Sequence, residues 1–201
     1  MNKVKPFLII FGLFLFCNSV FSQSDGQACV ILSAAELTIN GETNVNSYSC
    51  ALRKTQINDT LELTTDSENS FNTFEGLEIV FLVKDFACGM DMMTEDFREL
   101  LKVEEHPRIV VTIDRIELPQ DGGKNYSGPV KARIRLHLAN AERQQVIENA
   151  SIHQIRQKTI FTGSYETLIT SYNLVPPSRM FGAIQAEDTI EVQFAIQMKK
   201  S

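Results

Sequence analysis

The sequence predicts an all-β fold: an antiparallel barrel of about eight strands with one short helix, over about residues 94–103, near its mouth. Three observations carry this. Apolar and polar residues alternate with period two in several runs, the pattern of strands with one buried and one wet face. Turn signals separate those runs, at Asn40-Gly41, Asn58-Asp59, Asp121-Gly122-Gly123 and Pro176-Pro177. A single amphipathic segment interrupts the strands, and a helix lying on a curled sheet makes a natural lid for a container.

In chain order, Leu37 and Ile39 and then Leu61 and Leu63 mark the first strands. The run 76–86 (GLEIVFLVKDF) is apolar on both faces through Ile79–Val83, so its outer face is expected to be covered too. The helix follows. Thr94 is placed as its N-cap, and Glu95 and Asp96 set negative charge at the positive end of the helix dipole. Phe97, Leu100, Leu101 and Glu104 recur at helical spacing, and Pro107 forces a stop. Behind it, Ile109, Val111 and Ile113 alternate as a strand, but Ile116 and Leu118 fall in the opposite phase. One inserted residue near Asp114–Arg115 restores continuity, which is what a β-bulge does, and bulges bend strands as a closing barrel requires. Ala132, Ile134, Leu136 and Leu138 then oppose Lys131, Arg133, Arg135 and His137. Finally Ile190, Val192, Phe194, Ile196 and Met198 oppose Glu191, Gln193, Gln197 and Lys199. A barrel also removes the exposed edges that a sandwich must protect, which favours the barrel.

The first 22 residues read as an export signal: Lys3 and Lys5, an apolar core from Phe7 to Phe16, and Val20 and Ser22 ahead of a cleavage site before Gln23. The core is well short of the ~20 residues a membrane anchor needs. Lipoprotein processing at Cys17 is the other rival, and Phe16 sits where that processing wants a small residue. Cleavage leaves residues 23–201 as a single domain with enough chain for a full core, expected to be periplasmic or secreted with no membrane span. The net charge is −6 and loses two lysines with the signal, so no basic tract exists to neutralise phosphates, and nucleic acid is excluded as a partner. Cys29, Cys50 and Cys88 then remain in an oxidising compartment. They allow three single pairings, and sequence alone does not choose between them. Cys50–Cys88 is favoured because Cys29 lies close to the new terminus. Three reduced core thiols are the alternative.

The run 41–50 (GETNVNSYSC), the helix up to Pro107, and the tail from Tyr172 to Lys199 (YNLVPPSRMFGAIQAEDTIEVQFAIQMK) together resemble YceI-like proteins, closest to exported members from Bacteroidetes-type bacteria. The resemblance spans residues 34–199 and rests on the order of the motifs; Asn140-Ala141-Glu142-Arg143 departs from the family pattern. It implies a lipocalin-like barrel with a helix near the mouth and an apolar cavity for a polyisoprenoid or similar long lipid. Candidate lining residues are Phe81, Phe86, Met93, Phe97, Leu100, Leu101, Met180 and Phe181, against the plain reading of each as core.

No enzyme motif is present: no nucleophile elbow, HExxH, phosphate loop or CxxC. His106, His137 and His153 are scattered, so neither a metal nor any other cofactor is expected. Met90, Met92 and Met93 after Cys88 suggest either a soft copper(I) site or, more plainly, gap-filling at the helix. The row Lys131, Arg133, Arg135 and His137 suggests an anion contact or simply the wet face of a strand. The resulting expectation is an exported, non-enzymatic lipid-binding barrel. The alternative is a structural or interaction domain of the cell envelope with a filled core and no ligand.

Overall fold

The computed structural model describes residues 26–66, 71–74, 77–119 and 126–200. The leader, with Cys17, and the Asp121–Gly123 turn lie outside the described residues, as do the side chains of Cys29, Leu61 and Leu63. Among the described residues ten strands make one antiparallel sheet: β1 (Gly26–Thr43), β2 (Ser47–Asp66), β3 (Phe71–Phe74), β4 (Glu78–Leu82), β5 (Arg108–Glu117), β6 (Gly128–Leu138), β7 (Ala141–Ile155), β8 (Lys158–Leu168), β9 (Ser178–Arg179) and β10 (Ile184–Lys200). Neighbours run β1-β2-β3-β5-β6-β7-β8-β10, and β1 pairs again with β10, so the sheet curls round on itself. β3 and β4 share one position beside β5, and β9 is a side branch on β10, which leaves about eight places in the wall.

The alternation sorts inside from outside as expected. Ala132, Ile134, Leu136 and Leu138 are buried, as are Ile190, Val192, Phe194, Ile196 and Met198. The phase change in β5 is a bulge: Ile113 pairs with Ile134 and Arg115 with Arg133, leaving Asp114 as the extra residue. The bulge leaves Asp114 facing Arg135 of β6, whose guanidinium grips its carboxylate with Nε at 3.0 Å and Nη2 at 2.9 Å.

Two turn signals lie inside strands instead. β1 continues through Asn40-Gly41 and turns at Asn44–Asn46. Glycine is needed at Gly41 because the Tyr48 ring crosses it so closely that an added Cβ would meet the phenol oxygen at 2.3 Å. Asn58-Asp59 marks a break of register within β2, which pairs Thr55 with Ala34 and Asp59 with Leu32. The outer face of β4 is less covered than its apolar run suggested, since Leu82 is exposed.

Among the described residues β4 pairs with β5 alone, so the wall has a seam between β4 and β2. Ala51 and Ala87 exchange backbone hydrogen bonds of 3.0 and 3.2 Å across it. Beside them Cys50 and Cys88 form a disulfide, the favoured pairing, closing a loop that stabilises by about 3–4 kcal/mol in the chain-entropy picture.

The helix, α1, spans Asp91–Leu100, three residues ahead of its expected start. The disulfide fixes Cys88, Gly89 turns the chain at a positive φ of 82°, and extended Met90 is the N-cap residue. Thr94 therefore lies inside the first turns, where its hydroxyl donates to the Met90 carbonyl and accepts from the Cys88 N–H, both at 3.0 Å. Phe97 and Leu101 are buried beneath the helix. The Phe97 ring sits 5.3 Å from that of Phe86, which in turn meets Phe81 edge-on at 6.5 Å. Such pairs add about 0.5–1.5 kcal/mol each beyond the area they bury.

Candidate functional site

Two regions of the barrel interior differ. Between β8 and β10 the described side chains are closely packed. Phe161 and Phe194 pack with ring centres 5.2 Å apart, and a Cβ on Gly163 would lie 2.6 Å from the Phe194 ring. Towards α1 the interior opens into a cavity of about 160 Å³. Its walls are the mouth-side ends of the strands, including Ile39, Tyr48, Cys50, Leu138 and Ile190. α1 and the residue after it contribute Met93, Phe97, Leu100 and Leu101. The segment after β8 contributes Ile169, Tyr172 and Leu174, and the start of β10 contributes Ile184 and Ala186.

Two crossings roof this space. α1 is held against the preceding turn by Arg98, which donates to the carbonyls of Lys84 and Phe86. The β9–β10 hairpin is tied on both sides. Arg179 forms an ion pair with Asp96 of α1, its Nε at 3.1 Å, and a looser one with Glu99 at 3.8 Å. On the other side the Asn44 amide donates to the Ala183 carbonyl at 2.9 Å and accepts the Gln185 N–H at 3.0 Å. Among the described residues, Asp96 and Arg179 are the only charged ones bordering the cavity, and they neutralise each other. Val45, Met90 and Met92 extend the apolar lining outward as an exposed rim.

Of the candidate lining residues, Met93, Phe97, Leu100 and Leu101 border the cavity. Phe81 and Phe86 do not: they are buried in the aromatic stack that supports α1. Met180 and Phe181 do not either. They form the tip of the β9–β10 hairpin, both at positive φ (53° and 56°), and their side chains are exposed. Period-two spacing reports which face of a strand is inside, but not the height along the barrel. That is why the lining residues at the ends of β1, β2, β6 and β10 are not singled out by sequence.

Met90, Met92 and Met93 border the cavity beside the helix, where the gap-filling reading puts them. Among the described residues no three His, Cys, Asp or Glu side chains converge as they would around a metal ion. His137 Nε2 lies 2.9 Å from the Ala139 carbonyl, while His153 is exposed. The cationic row on β6 is met by acids, with Lys131 at 2.6 Å from Glu148 and Arg135 between Asp114 and Glu142. Glu148 raises the Lys131 pKa and Asp114 that of Arg135, both by hydrogen bonding first. The wet-face reading describes this row better than an anion site.

Curled antiparallel sheet, a roof of helix and hairpin, and an apolar space beneath define a β-barrel with a roofed apolar cavity. Solved structures with this fold include Burkholderia cenocepacia BcnA (TM-score 0.57, 12% identity, 82% of this chain and 95% of that one). A polyisoprenoid-binding domain from Saccharophagus degradans, implicated in plant cell wall breakdown, is similarly close (TM-score 0.56, 12% identity, 87% and 99%). The Campylobacter jejuni YceI protein follows (TM-score 0.52, 11% identity, 70% and 80%). At these identities the likeness establishes the fold. No family model matches the sequence. One curated protein, a subunit of the mitochondrial glutamyl-tRNA(Gln) amidotransferase of Candida dubliniensis, is 26% identical over 94 residues; the match spans 47% of this chain and 18% of that protein's length.

Proposed function

We propose that this chain is an exported, non-enzymatic lipid-binding protein that holds part of an isoprenoid-like or acyl chain in the cavity beneath α1. The observation that carries the proposal is the near-complete apolarity of that cavity, whose two charged neighbours neutralise each other. The fold supports it, since one of the structures it resembles is a polyisoprenoid-binding domain. Export to the periplasm or beyond is supported by the Cys50–Cys88 disulfide, a bond that persists in oxidising compartments, and by the leader-like first 22 residues. No helix among the described residues is long and apolar enough to cross a membrane.

Size limits how the ligand is held. A cavity of about 150 Å³ is known to accept one benzene ring, so this one takes a unit of about six carbons. At about 0.8 kcal/mol per buried CH₂, that unit contributes about 5 kcal/mol before any cost of association. This alone corresponds to binding weaker than about 100 μM. A long chain therefore inserts one end and lays the rest along the exposed rim of Val45, Met90 and Met92, or displaces the roof. The second reading, a structural domain without ligand, is favoured by the packed Phe161–Phe194 end of the barrel.

Native mass spectrometry of protein purified from its own cell envelope separates the two. The expected result is a co-purifying lipid mass that is lost in Phe97→Asp and in the milder Leu100→Asp, with circular dichroism unchanged in at least the latter. A bare protein mass in the wild type, or lipid retained equally in both variants, rejects the container reading.

A further inference from the structure

Among the described residues ten large apolar side chains are exposed, and six of them gather at the cavity mouth. Val45 lies in the β1–β2 turn, and Met90 and Met92 at the start of α1; all three also border the cavity. Val175 follows Leu174, a cavity residue, in the connection from β8 to β9. Met180 and Phe181 form the hairpin tip, between Arg179 and Ile184, both of which border the cavity. The other four stand on the wall strands β4, β7 and β8. Apolar side chains scattered singly over a surface are ordinary, but a group drawn from four separate segments round one opening marks a contact.

The backbone of the hairpin tip carries the argument further. Met180, Phe181 and Gly182 all have positive φ, at 53°, 56° and 90°. Asn and Gly usually supply such a turn, because a Cβ crowds the backbone in the left-handed region. Here a methionine and a phenylalanine hold it while 71% and 113% exposed, so no packing within the chain offsets the strain. A local rule broken without an internal gain points to a gain made outside the chain.

Three features identify what lies outside. Through Val45, Met90 and Met92 the rim is continuous with the apolar cavity, so whatever covers it joins the space that a lipid chain would enter. The exposed side chains sit on separate turns, which suits a soft layer, whereas a partner strand or helix needs one edge or one stripe. The charge is acidic: α1 carries Asp91, Glu95, Asp96 and Glu99 against Arg98, and the whole chain is at −6, so an anionic surface is repelled. We infer that the mouth docks on a bilayer of zwitterionic lipid, with Met180 and Phe181 inserted among the acyl chains and Val45, Met90 and Met92 over the entry to the cavity. The inference deepens the container reading, on which its choice of lipid as occupant rests: the bilayer is the source of the chain that the cavity takes up.

The test is flotation with phosphatidylcholine vesicles, using protein purified from its own cell envelope and freed of detergent. Met180→Asn/Phe181→Gly gives the turn the residues its backbone prefers, so the melting temperature is expected to be unchanged or raised. Partition onto the vesicles is expected to fall about tenfold, the effect of no longer burying one large apolar side chain. Ile155→Ser, which removes an exposed apolar side chain from the wall, is expected to leave partition unchanged. A wild type that does not float, a double variant that floats equally, or the same loss in Ile155→Ser overturns the inference. So does a wild-type dimer that the double variant turns into a monomer, which assigns the face to a second copy. Flotation that needs phosphatidylglycerol in the vesicles and is abolished by salt overturns it as well, because charge then carries the binding. Native mass spectrometry keeps the two readings apart. Lipid bound to a wild type that does not float leaves the container reading standing, and flotation with the expected loss in the double variant but no bound lipid rejects that reading and keeps the docking face.

Discussion

The same sheet carries a packed aromatic plug between β8 and β10 and a roofed cavity beside α1. At the plug, Gly163 is the residue that lets Phe194 lie across β8 and reach Phe161. At the mouth Ile39, Leu138 and Ile190 border open space, the Tyr48 ring lies over Gly41 at its edge, and the space is closed by α1 and the β9–β10 hairpin. The plug is held by packing between strands already joined by long ladders of hydrogen bonds. The roof is held by a disulfide, a few side-chain hydrogen bonds and one aromatic stack. On the container reading stability belongs mainly to the plug and ligand exchange to the roof, and the two should be separable by mutation.

The largest effect is expected at the plug. Phe194→Ala removes a ring buried against Phe161 and Gly163 and should cost about 3–5 kcal/mol, read from urea unfolding. Lipid content of the folded fraction should be unchanged, since Phe194 does not border the cavity. A loss of lipid in that fraction would show that the two ends are one continuous interior.

A smaller effect of opposite sign is expected at the mouth. Ala186 borders the cavity, and Ala186→Leu puts three more carbons into empty apolar space. It should stabilise the apo protein by about 0.5–2 kcal/mol, as cavity filling commonly does, and should expel bound lipid. Destabilisation with lipid retained would mean that the roof region is already at native packing density, and the structural-domain reading would gain.

How much of this division was legible in the sequence follows from what each signal measures. The bulge at Asp114 was readable because a one-residue insertion inverts the alternation on either side of it. α1 was readable from the stripe of Phe97, Leu100 and Leu101, but not its start, because Gly89 and the tethered Cys88 set the point at which the chain turns. Phe81 and Phe86 look no different from cavity residues in sequence. Their place in the support of α1 is decided by Phe97, which reaches them from another element. Tyr172 lies in the tail that carried the resemblance, yet its place in the cavity wall depends on which elements the fold brings together, and spacing holds no information about that.

The smallest effect on stability falls on the hairpin. Arg179 and Asp96 form a partly exposed ion pair joining the β9–β10 hairpin to α1 across the cavity mouth. Such pairs contribute about 0–1 kcal/mol, so Arg179→Gln should barely move the unfolding midpoint. The pair nevertheless spans the two halves of the roof, whose other fastening on this hairpin is Asn44 with Ala183 and Gln185. Loosening one end should let the hairpin swing about the other. Release of a bound fluorescent fatty acid should then speed up several-fold while the barrel stays equally stable. In the wild type the release rate should also rise with added salt, because an exposed pair is screened within about 10 Å at 0.1 M, and the variant should lose that dependence. A release rate equal to wild type at every salt concentration would place the exit elsewhere, along the seam between β2 and β4, and make the hairpin a fixed part of the wall.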